Sequence, residues 1–407
     1  MTGTGLAQAI PLVFSPVLTR LFSPGDFGRF AFFMALCAVL TIIATGFYEL
    51  SVMLPKNDKV ALNIVALIVG LSFVVSLFFF IIILVFGHLL NRFFNSPLSF
   101  GYLLLIPACV FFMGAFQGLN YWLTRKKQYK IINACKISQS ILTVLSSIIL
   151  SYLGFQSYGL IMGFLLGSIS ATIPLFYVLI KRQLLISKAI VFNAAKSYFD
   201  YPRLMMPTAL MNSTASQAPV FFINKFFSPV IVGYYSFASR ILTAPIGIIS
   251  SAIGQVYFQK MSDLVKSGSQ NIYAAFLKTA KTLAILAAVL FIPFLIFGED
   301  IFRIVFGENW STAGKYVEII ALSAIVKFIV SPLSTIFISL NKLRILAAWQ
   351  VLYLCTTVTI FIIGRNFTFS NLLWTYVIND IMLYLIYFRL MIHVSKKFDY
   401  TAKQTVC

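Results

Sequence analysis

The fold is decided by residues 201–260, which read YPRLMMPTALMNSTASQAPVFFINKFFSPVIVGYYSFASRILTAPIGIISSAIGQVYFQK. This stretch contains two apolar runs of membrane-spanning length, separated by a Ser-Pro turn. It also resembles the beginning of the chain when position i is compared with position i + 205. The matched residues are Arg20 with Lys225, Phe22-Ser23-Pro24 with Phe227-Ser228-Pro229, Gly28 with Gly233, Phe30 with Tyr235 and Phe32 with Phe237. A constant offset indicates an internal repeat, so we predict that the chain consists of two similar halves.

The composition of the whole chain excludes an ordinary soluble protein. Of its 407 residues, 60% are hydrophobic and only 10% are charged. The formal net charge is +20, but a nucleic-acid-binding protein gathers its basic residues on one exposed face, whereas here they recur in short loops between apolar runs. The five cysteines have neither the pattern of a disulfide framework nor the spacing of metal ligands, so we expect no metal and no cofactor.

Long apolar runs predict an all-α, polytopic membrane protein with about twelve transmembrane helices. The runs are 3–22, 27–50, 61–87, 100–123, 131–153, 157–180, 205–227, 231–257, 274–298, 315–340, 345–364 and 369–392. We expect six helices in an N-terminal bundle at 1–190 and six in a C-terminal bundle at 200–407. An even number of spans returns each half to its starting side, which predicts parallel repeats related by an axis along the membrane normal. The first run lacks a preceding basic segment, so we expect a retained helix and not a cleaved signal peptide.

Lysine and arginine are unevenly distributed between alternate loops. One set of loops, which includes 125–130 and 181–204, contains roughly two and a half times as many of these residues as the other set. Because cytoplasmic loops of membrane proteins are enriched in Lys and Arg, this distribution places both termini in the cytoplasm.

Three ionisable residues lie near the middle of predicted spans in the second half: Arg240, Lys327 and Asp380. A charge at the bilayer centre costs about 2.5–3.5 kcal/mol on insertion scales, so none of the three is expected to face lipid. Their neighbours at helical spacing are Ser236, Thr243 and Gly247 for Arg240, Ser323, Ser331 and Ser334 for Lys327, and Tyr376, Tyr384 and Tyr387 for Asp380. These polar or small faces are expected to point into the bundle.

Two interpretations of the mid-span charges remain open. Either cation could pair with Asp380 as a structural contact between helices, or Asp380 could serve ion coupling. Two cations against one anion leave one cation for an anionic substrate, and the candidate substrate-binding residues are Arg240, Lys327, Asn212 and Gln217. Glu49, near the end of the second span, is a second candidate for ion coupling, although we expect it to pair with a loop cation.

Several motifs resemble those of a known family. In the first half they are GTGLAQAIP at 3–11, LTRLFSP at 18–24 with FG at 27–28, YEL at 48–50 and LPK at 54–56. In the second half they are YPR at 201–203, Pro219, GYYS at 233–236, SRIL at 239–242 with Pro245, GQVY at 254–257 and FGENW at 306–310. In this order they resemble bacterial polysaccharide-transport proteins, the O-antigen and related flippases of the multidrug/oligosaccharidyl-lipid/polysaccharide exporter superfamily. The resemblance covers nearly the whole chain, although a short basic segment that usually precedes the first span in that family is missing.

This resemblance implies a V-shaped bundle of two six-helix halves in the bacterial cytoplasmic (inner) membrane. It implies transport without enzymatic chemistry, by alternating access, of undecaprenyl-pyrophosphate-linked sugar repeat units of the O-antigen or capsule type from the cytoplasmic to the periplasmic leaflet. The expected partners are this polyprenyl-pyrophosphate-linked oligosaccharide, the lipid bilayer, a polysaccharide polymerase and a chain-length regulator, and no nucleic acid.

Three other functions remain open. A drug or metabolite cation antiporter of the same superfamily would share the spans, but we would expect an anionic cavity there, whereas the mid-span charges here are net cationic. A membrane-embedded polysaccharide polymerase or ligase would carry a large periplasmic loop, and the longest one on that side, 299–315, is short. A purely structural scaffold would leave the mid-span cations without a role. The sequence contains no P-loop motif, which argues against an ATP-driven pump.

Overall fold

The computed structural model of the protein describes residues 2–93, 100–181, 186–266, 271–340 and 342–406. Over these ranges every regular element is helical, which confirms the all-α prediction. The α-helices are α1 (Thr2–Val13), α2 (Ser15–Leu21), α3 (Pro24–Thr45), α4 (Asp58–Phe93), α5 (Phe100–Arg125), α6 (Tyr129–Tyr152), α7 (Gln156–Lys181), α8 (Lys188–Ser197), α9 (Met206–Phe226), α10 (Pro229–Lys266), α11 (Ile272–Phe306), α12 (Ser311–Leu333), α13 (Ile336–Ser339), α14 (Leu343–Ile363) and α15 (Phe369–Val406). Short 3₁₀ helices occupy Tyr48–Met53, Glu308–Trp310 and Gly364–Asn366, and a π-helix at Tyr201–Met205 leads into α9.

Helices occupy all twelve apolar runs, but the expected number of twelve membrane spans is not confirmed. Within the ranges given above, nine helices are long and apolar enough to cross a membrane. The first, seventh and eighth runs, in α1 with α2, in α9 and in α10, are not among them. In α9 the polar residues Asn212, Ser213, Ser216 and Gln217 lower the mean hydropathy. Sequence reasoning also treated 181–204 as a plain connection, whereas it contains α8, which packs against α4.

The first apolar run is broken into two helices. Pro16 stands in the first turn of α2 and has no N–H to donate to the carbonyl oxygen of Leu12. The hydroxyl of Ser15 donates to that oxygen instead, at 2.6 Å. The side chain thus satisfies the carbonyl group that the proline frees, and the chain turns between α1 and α2.

The chain folds into two compact units, Met1–Gly233 and Tyr234–Cys407. In the first unit, α6 packs along α7, α4 along α5, and α3 against α5 and α9. In the second unit, α11 packs along α12, and α15 contacts α11, α12 and α14. The boundary between the units falls in the first turns of α10. The division into six-helix bundles at 1–190 and 200–407 stays a prediction.

Equivalent residues of the two repeat copies contact each other inside the first unit. A Cβ atom added to Gly28 would lie 1.8 Å from the carbonyl oxygen of Pro229, and one added to Gly233 would lie 1.8 Å from the carbonyl oxygen of Pro24. The first turns of α3 and α10 therefore cross backbone against backbone, in the reciprocal manner that a local two-fold axis produces. Only hydrogen fits at these two positions, which explains why both copies carry glycine.

The repeated Ser-Pro turn starts both crossing helices in the same way. Ser23 accepts a hydrogen bond from the backbone N–H of Asp26 at 3.3 Å, and Ser228 accepts one from Ile231 at 3.3 Å. Serine at the N-cap and proline at the first helical position are favoured helix starts. The offset of 205 residues in the sequence is thus reproduced by the starts of α3 at Pro24 and α10 at Pro229.

Candidate functional site

Lys327 of α12 and Asp380 of α15 form a salt bridge in the second unit, between Nζ and Oδ2. The Asp380 side chain has no exposed surface, whereas Lys327 keeps 25% of its side-chain surface exposed. Of the two pairings that the sequence left open for Asp380, the structure contains the one with Lys327.

Tyrosines surround the lysine of this pair. The Nζ atom of Lys327 lies 5.7 Å from the ring centroids of Tyr376 and Tyr384 on α15 and 6.0 Å from that of Tyr353 on α14. These distances are within the range of cation–π attraction. The hydroxyl groups of Tyr353 and Tyr376 are hydrogen-bonded at 3.3 Å. We call Lys327, Asp380, Tyr353, Tyr376 and Tyr384 the lysine cage.

Helical spacing explains one wall of the lysine cage. Tyr376, Asp380 and Tyr384 follow each other at intervals of four residues, so they share one face of α15. The sequence predicted this wall, but it missed Tyr353, which belongs to a different helix. The signal that could have found it is the pair Trp349 and Tyr353, also four residues apart on α14.

A column of stacked aromatic rings includes Tyr353 of the lysine cage. Phe337 stacks on Tyr387 at 5.1 Å between centroids, Tyr387 on Trp349 at 4.4 Å, and Trp349 on Tyr353 at 5.3 Å. Three helices, α13, α14 and α15, thus contribute to one continuous stack. Stacked aromatic rings add to the energy of area burial, so this column fixes the position of Tyr353 beside Lys327.

Arg240 has a different environment from Lys327. Its side chain is exposed, and no carboxylate of the described residues lies within the 4.0 Å limit of a salt bridge. Thr243 and Gly247 on the same face are also exposed, whereas the hydroxyl of Ser236, one turn before Arg240, is buried, and the neighbouring Phe237 packs against Phe302, Phe306 and Trp310. The polar face of α10 that the sequence predicted is therefore exposed from Arg240 to Gly247 but not at Ser236.

The two cations lie on neighbouring helices that run in the same direction. Near one end, the ring of Tyr234 on α10 lies 6.2 Å from that of Tyr316 on α12, and farther along, a Cβ atom added to Gly254 would lie 3.7 Å from the Cα atom of Pro332. Arg240 and Lys327 both fall between these two contacts. A rise of 1.5 Å per residue separates them by about 10 Å along the helix axes.

The amides Asn212 and Gln217 belong to the first unit and are not part of the lysine cage. Both lie on α9, where Asn212 is exposed and Gln217 is half-buried. Neither side chain forms a hydrogen bond within the part of the chain that the structure describes. Both amides are therefore open to a ligand, and their role as substrate-binding residues stays a prediction.

Glu49 does not form the expected ion pair with a loop cation among the described residues. It lies in the 3₁₀ helix Tyr48–Met53 and is 4% exposed, and its Oε2 atom has no hydrogen-bond partner there. The nearby cations are held by Asp58 instead, which pairs with Arg125 at 3.0 Å and with Lys126. Arg125 also donates to the carbonyl oxygens of Val52 and Met53, both at 3.2 Å. These bonds link α5 to the 3₁₀ helix that contains Glu49.

Glu49→Gln is expected to raise thermal stability at neutral pH. Burial raises the pKa of Glu49 above 4.5, although hydrogen bonds from its own backbone N–H and from Thr45 act in the opposite direction. The folded protein therefore holds this proton more tightly than the unfolded chain does. The contribution of Glu49 to stability is complete below pH 4.5 and is lost as the pH rises through the raised pKa.

The midpoint temperature of unfolding in detergent should accordingly be higher for Glu49→Gln than for the wild type at neutral pH. The difference should disappear below pH 4.5, where the glutamate is protonated in both the folded and the unfolded protein. The same gain at both pH values would contradict the assignment, as would the absence of a gain at neutral pH.

Residues 17–315 match the family of proteins described as polysaccharide biosynthesis protein. Among curated proteins, the chain is 22% identical over 213 residues to the teichuronic acid biosynthesis protein TuaB of Bacillus subtilis (strain 168). The aligned region covers 51% of this chain and 44% of TuaB. The chain is also 22% identical over 330 residues to the succinoglycan biosynthesis transport protein ExoT of Rhizobium meliloti (strain 1021). That aligned region covers 79% of this chain and 63% of ExoT. The chain therefore spans less than two thirds of the length of either relative.

Solved structures of transporters have a similar fold. An inward-facing multidrug resistance MATE family transporter of the MOP superfamily matches with a TM-score of 0.70 at 16% identity, covering 97% of this chain and 95% of that one. The lipid II flippase MurJ, in an inward closed conformation, matches with a TM-score of 0.69 at 16% identity, covering 98% of this chain and 89% of that one. At this level of identity the likeness shows the fold alone, and it confirms the predicted exporter fold.

Proposed function

The chain belongs to the family of polysaccharide biosynthesis proteins, and on that basis we propose that it moves a lipid-linked sugar intermediate across the membrane. It is a multi-pass membrane protein with the fold of exporters and flippases. The proposed cargo is an undecaprenyl-pyrophosphate-linked repeat unit of the O-antigen or capsule type, carried from the cytoplasmic to the periplasmic leaflet by alternating access. The transport names of its relatives support this cargo class, and no covalent step is required of the protein.

The exposure of Arg240, together with the lack of a carboxylate partner among the described residues, is the observation that carries the proposal. A permanent charge at the bilayer centre costs about 2.5–3.5 kcal/mol when it faces lipid, so the proposal places the exposed surface of Arg240 in a water-filled cavity. Arg240 has no carboxylate partner among the described residues and is free to bind an anion from that cavity. Arginine holds a phosphate through two parallel hydrogen bonds, which makes it suited to a diphosphate.

The chemistry of the cargo explains why it needs such a site. Its polyprenyl chain can stay in lipid, while the diphosphate and the sugars require a polar path. Asn212 and Gln217 are proposed contacts for sugar hydroxyl groups, since amides both donate and accept hydrogen bonds. With a negative cytoplasm, outward movement of the anion is favoured by about 2.3 kcal/mol per charge per 100 mV, so the membrane potential can contribute to export.

The proposed location is the bacterial inner membrane, with both termini in the cytoplasm. The excess of Lys and Arg in one set of loops supports this orientation. A polysaccharide polymerase and a chain-length regulator are the proposed protein partners, because the translocated unit must be joined to a growing chain after it has crossed.

Arg240→Ala is expected to reduce flipping by about tenfold to a hundredfold, the range of a lost hydrogen-bonded charge of about 1.5–3 kcal/mol. The measurement uses the purified protein in liposomes that contain a fluorescent polyprenyl-diphosphate-linked sugar, with an impermeant quencher to count the outer-leaflet lipid. Arg240→Lys should restore part of the rate, because an ammonium keeps the charge but not the two-pronged geometry.

Arg303→Ala is the matched control for this experiment. Arg303 is also an arginine at the surface, and its pair with Asp300 at 2.6 Å is exposed, so its removal should leave flipping unchanged. A wild-type flipping rate for Arg240→Ala would contradict the proposed cargo site. Transport of an organic cation that survives this substitution would favour the antiporter instead.

A further inference from the structure

The two members of the Lys327–Asp380 pair are unequally accessible. A quarter of the lysine side chain is exposed, whereas the aspartate has no exposed surface. An ion that enters from the open side can therefore reach the lysine, while the carboxylate has no contact with solvent. Lys327 can therefore exchange Asp380 for another anion while Asp380 itself stays buried.

Among the described groups that face Asp380, Lys327 is the cation. They come from four helices: Tyr235 of α10, Lys327 of α12, Tyr353 of α14, and Tyr376 and Tyr384 of α15. From α11, the apolar Phe291 packs against Phe328, next to the lysine. Tyrosines are neutral at physiological pH, so Lys327 alone among these groups balances the charge of the carboxylate.

One oxygen atom of Asp380 is free to carry a proton. Oδ2 is bound to Lys327, whereas Oδ1 is buried and has no hydrogen-bond partner among the described residues. A buried carboxylate is costly unless it is paired and hydrogen-bonded. The ion pair with Lys327 therefore stabilises the ionised state, and the loss of this pair would favour the neutral acid.

An anion bound at Lys327 would make two negative groups share one cation. Like charges in one site disfavour the ionisation of one of them, and the fully buried group loses more by staying charged. Lys327 would then pass a proton from Nζ to Oδ2 of Asp380, which forms an O–H bond, and would take a replacement proton from solvent on its exposed side. The ammonium group so restored pairs with the incoming anion. Without the bound anion, the net charge of Lys327 and Asp380 together changes in this way from zero to +1.

We propose that Asp380 is a proton-binding residue that releases Lys327 to an anionic group of the cargo, so that anion binding is accompanied by proton uptake. This inference rests on the proposed function, because the diphosphate of the lipid-linked sugar supplies the anion. Coupling between two ligands is reciprocal, so a bound proton must also favour the bound anion. Cargo affinity therefore increases as the pH falls.

The test measures protons taken up when an anionic lipid binds. Farnesyl diphosphate is titrated into the purified full-length protein by calorimetry, in buffers with different enthalpies of ionisation, and the slope of heat against ionisation enthalpy gives the number of protons bound. Asp380→Asn should show up to about one proton less than the wild type, because the asparagine cannot be protonated. It should also bind the probe at least as tightly at neutral pH, since Lys327 is no longer occupied.

Asp300→Asn is the control, since Asp300 is exposed and pairs only with Arg303 in the described structure. It should retain the wild-type proton count. The probe itself gains protons near neutral pH, and the comparison between variants removes this contribution. The wild-type affinity should rise more steeply than that of Asp380→Asn as the pH falls, by up to about tenfold per pH unit for one linked proton.

Equal proton counts in the wild type and Asp380→Asn would overturn the inference and leave the proposed function intact. Failure of the wild type to bind the probe would contradict the proposed function itself. If Asp380→Asn does not fold, infrared difference spectroscopy on the wild type decides the question. A carbonyl band of a protonated carboxyl group should appear when the probe binds, and its absence would exclude proton uptake.

Discussion

Gly28→Ala is expected to destabilise the protein by about 3 kcal/mol or more, the upper part of the range for overpacked positions. The added methyl group would lie 1.8 Å from the carbonyl oxygen of Pro229 and 3.0 Å from the backbone nitrogen of Gly233. Both obstacles are backbone atoms, so no side-chain rotation can relieve the contact, and the first turns of α3 and α10 must separate. Gly233→Ala should have a similar effect, because its methyl group would lie 1.8 Å from the carbonyl oxygen of Pro24.

The double variant Gly28→Ala with Gly233→Ala gives a sharper test. Both methyl groups push the same two helix ends apart, so one separation accommodates them both. The cost of the double variant should therefore be clearly less than the sum of the two single costs, as is expected for residues in direct contact. Unfolding in mixed detergent micelles measures all three values.

Gly70→Ala is the matched control for these glycine variants. Gly70 also lies inside a membrane-spanning helix, α4, but a Cβ atom added there meets nothing within 4 Å. This substitution should be neutral or stabilising by up to about 1 kcal/mol, because alanine is the better helix former. A stability of Gly28→Ala equal to that of Gly70→Ala would refute the close crossing of α3 and α10.

Lys327→Ala is expected to cost about 3–5 kcal/mol, the usual effect of leaving a buried charge without its partner. Asp380→Ala should cost less, because Lys327 remains partly exposed and keeps three tyrosine rings within 6.0 Å. The order of these two effects follows from the unequal burial of the partners. Combining both substitutions should recover part of the loss, with a coupling energy of about 0.5–3 kcal/mol.

The exposed pair of Lys315 and Glu299 provides the control for the buried pair. Its side chains are 59% and 37% exposed and 3.3 Å apart, so Lys315→Ala should change stability by less than about 1 kcal/mol. If Lys327→Ala were no more destabilising than Lys315→Ala, the salt bridge with Asp380 would not contribute to folding. The same unfolding measurement in mixed micelles serves both pairs.

Sequence reasoning predicted the positions of the helices better than their number of membrane crossings. Apolar runs are local properties, and each run identified here contains a helix. Whether a run is continuous depends on single residues such as Pro16, and whether it is apolar enough depends on polar residues such as those of α9. The loop helix α8 was missed because it lies in a connection without a long apolar run.

The candidate site shows a similar division. Arg240, Lys327 and Asp380 were found from the sequence because a charge inside an apolar run is conspicuous and costly. The sequence did not show which cation pairs with Asp380, because Arg240 and Lys327 would each neutralise its charge. Tyr353 and Trp349 were missed because they reach the lysine from another helix, and no spacing within one helix reveals such a contact.

The sequence by itself determined that this protein is an all-α membrane protein in which one helix start recurs 205 residues later, since hydrophobic length and a constant offset of matching residues are properties of the chain alone. Only the tertiary structure decided that Lys327, and not Arg240, neutralises Asp380, and that Asp58 holds Arg125 while Glu49 stays buried without a cation among the described residues. Ion pairs form between side chains that are far apart in sequence. Their distances depend on how each helix is rotated against its neighbours, and that rotation is set by packing over the whole unit.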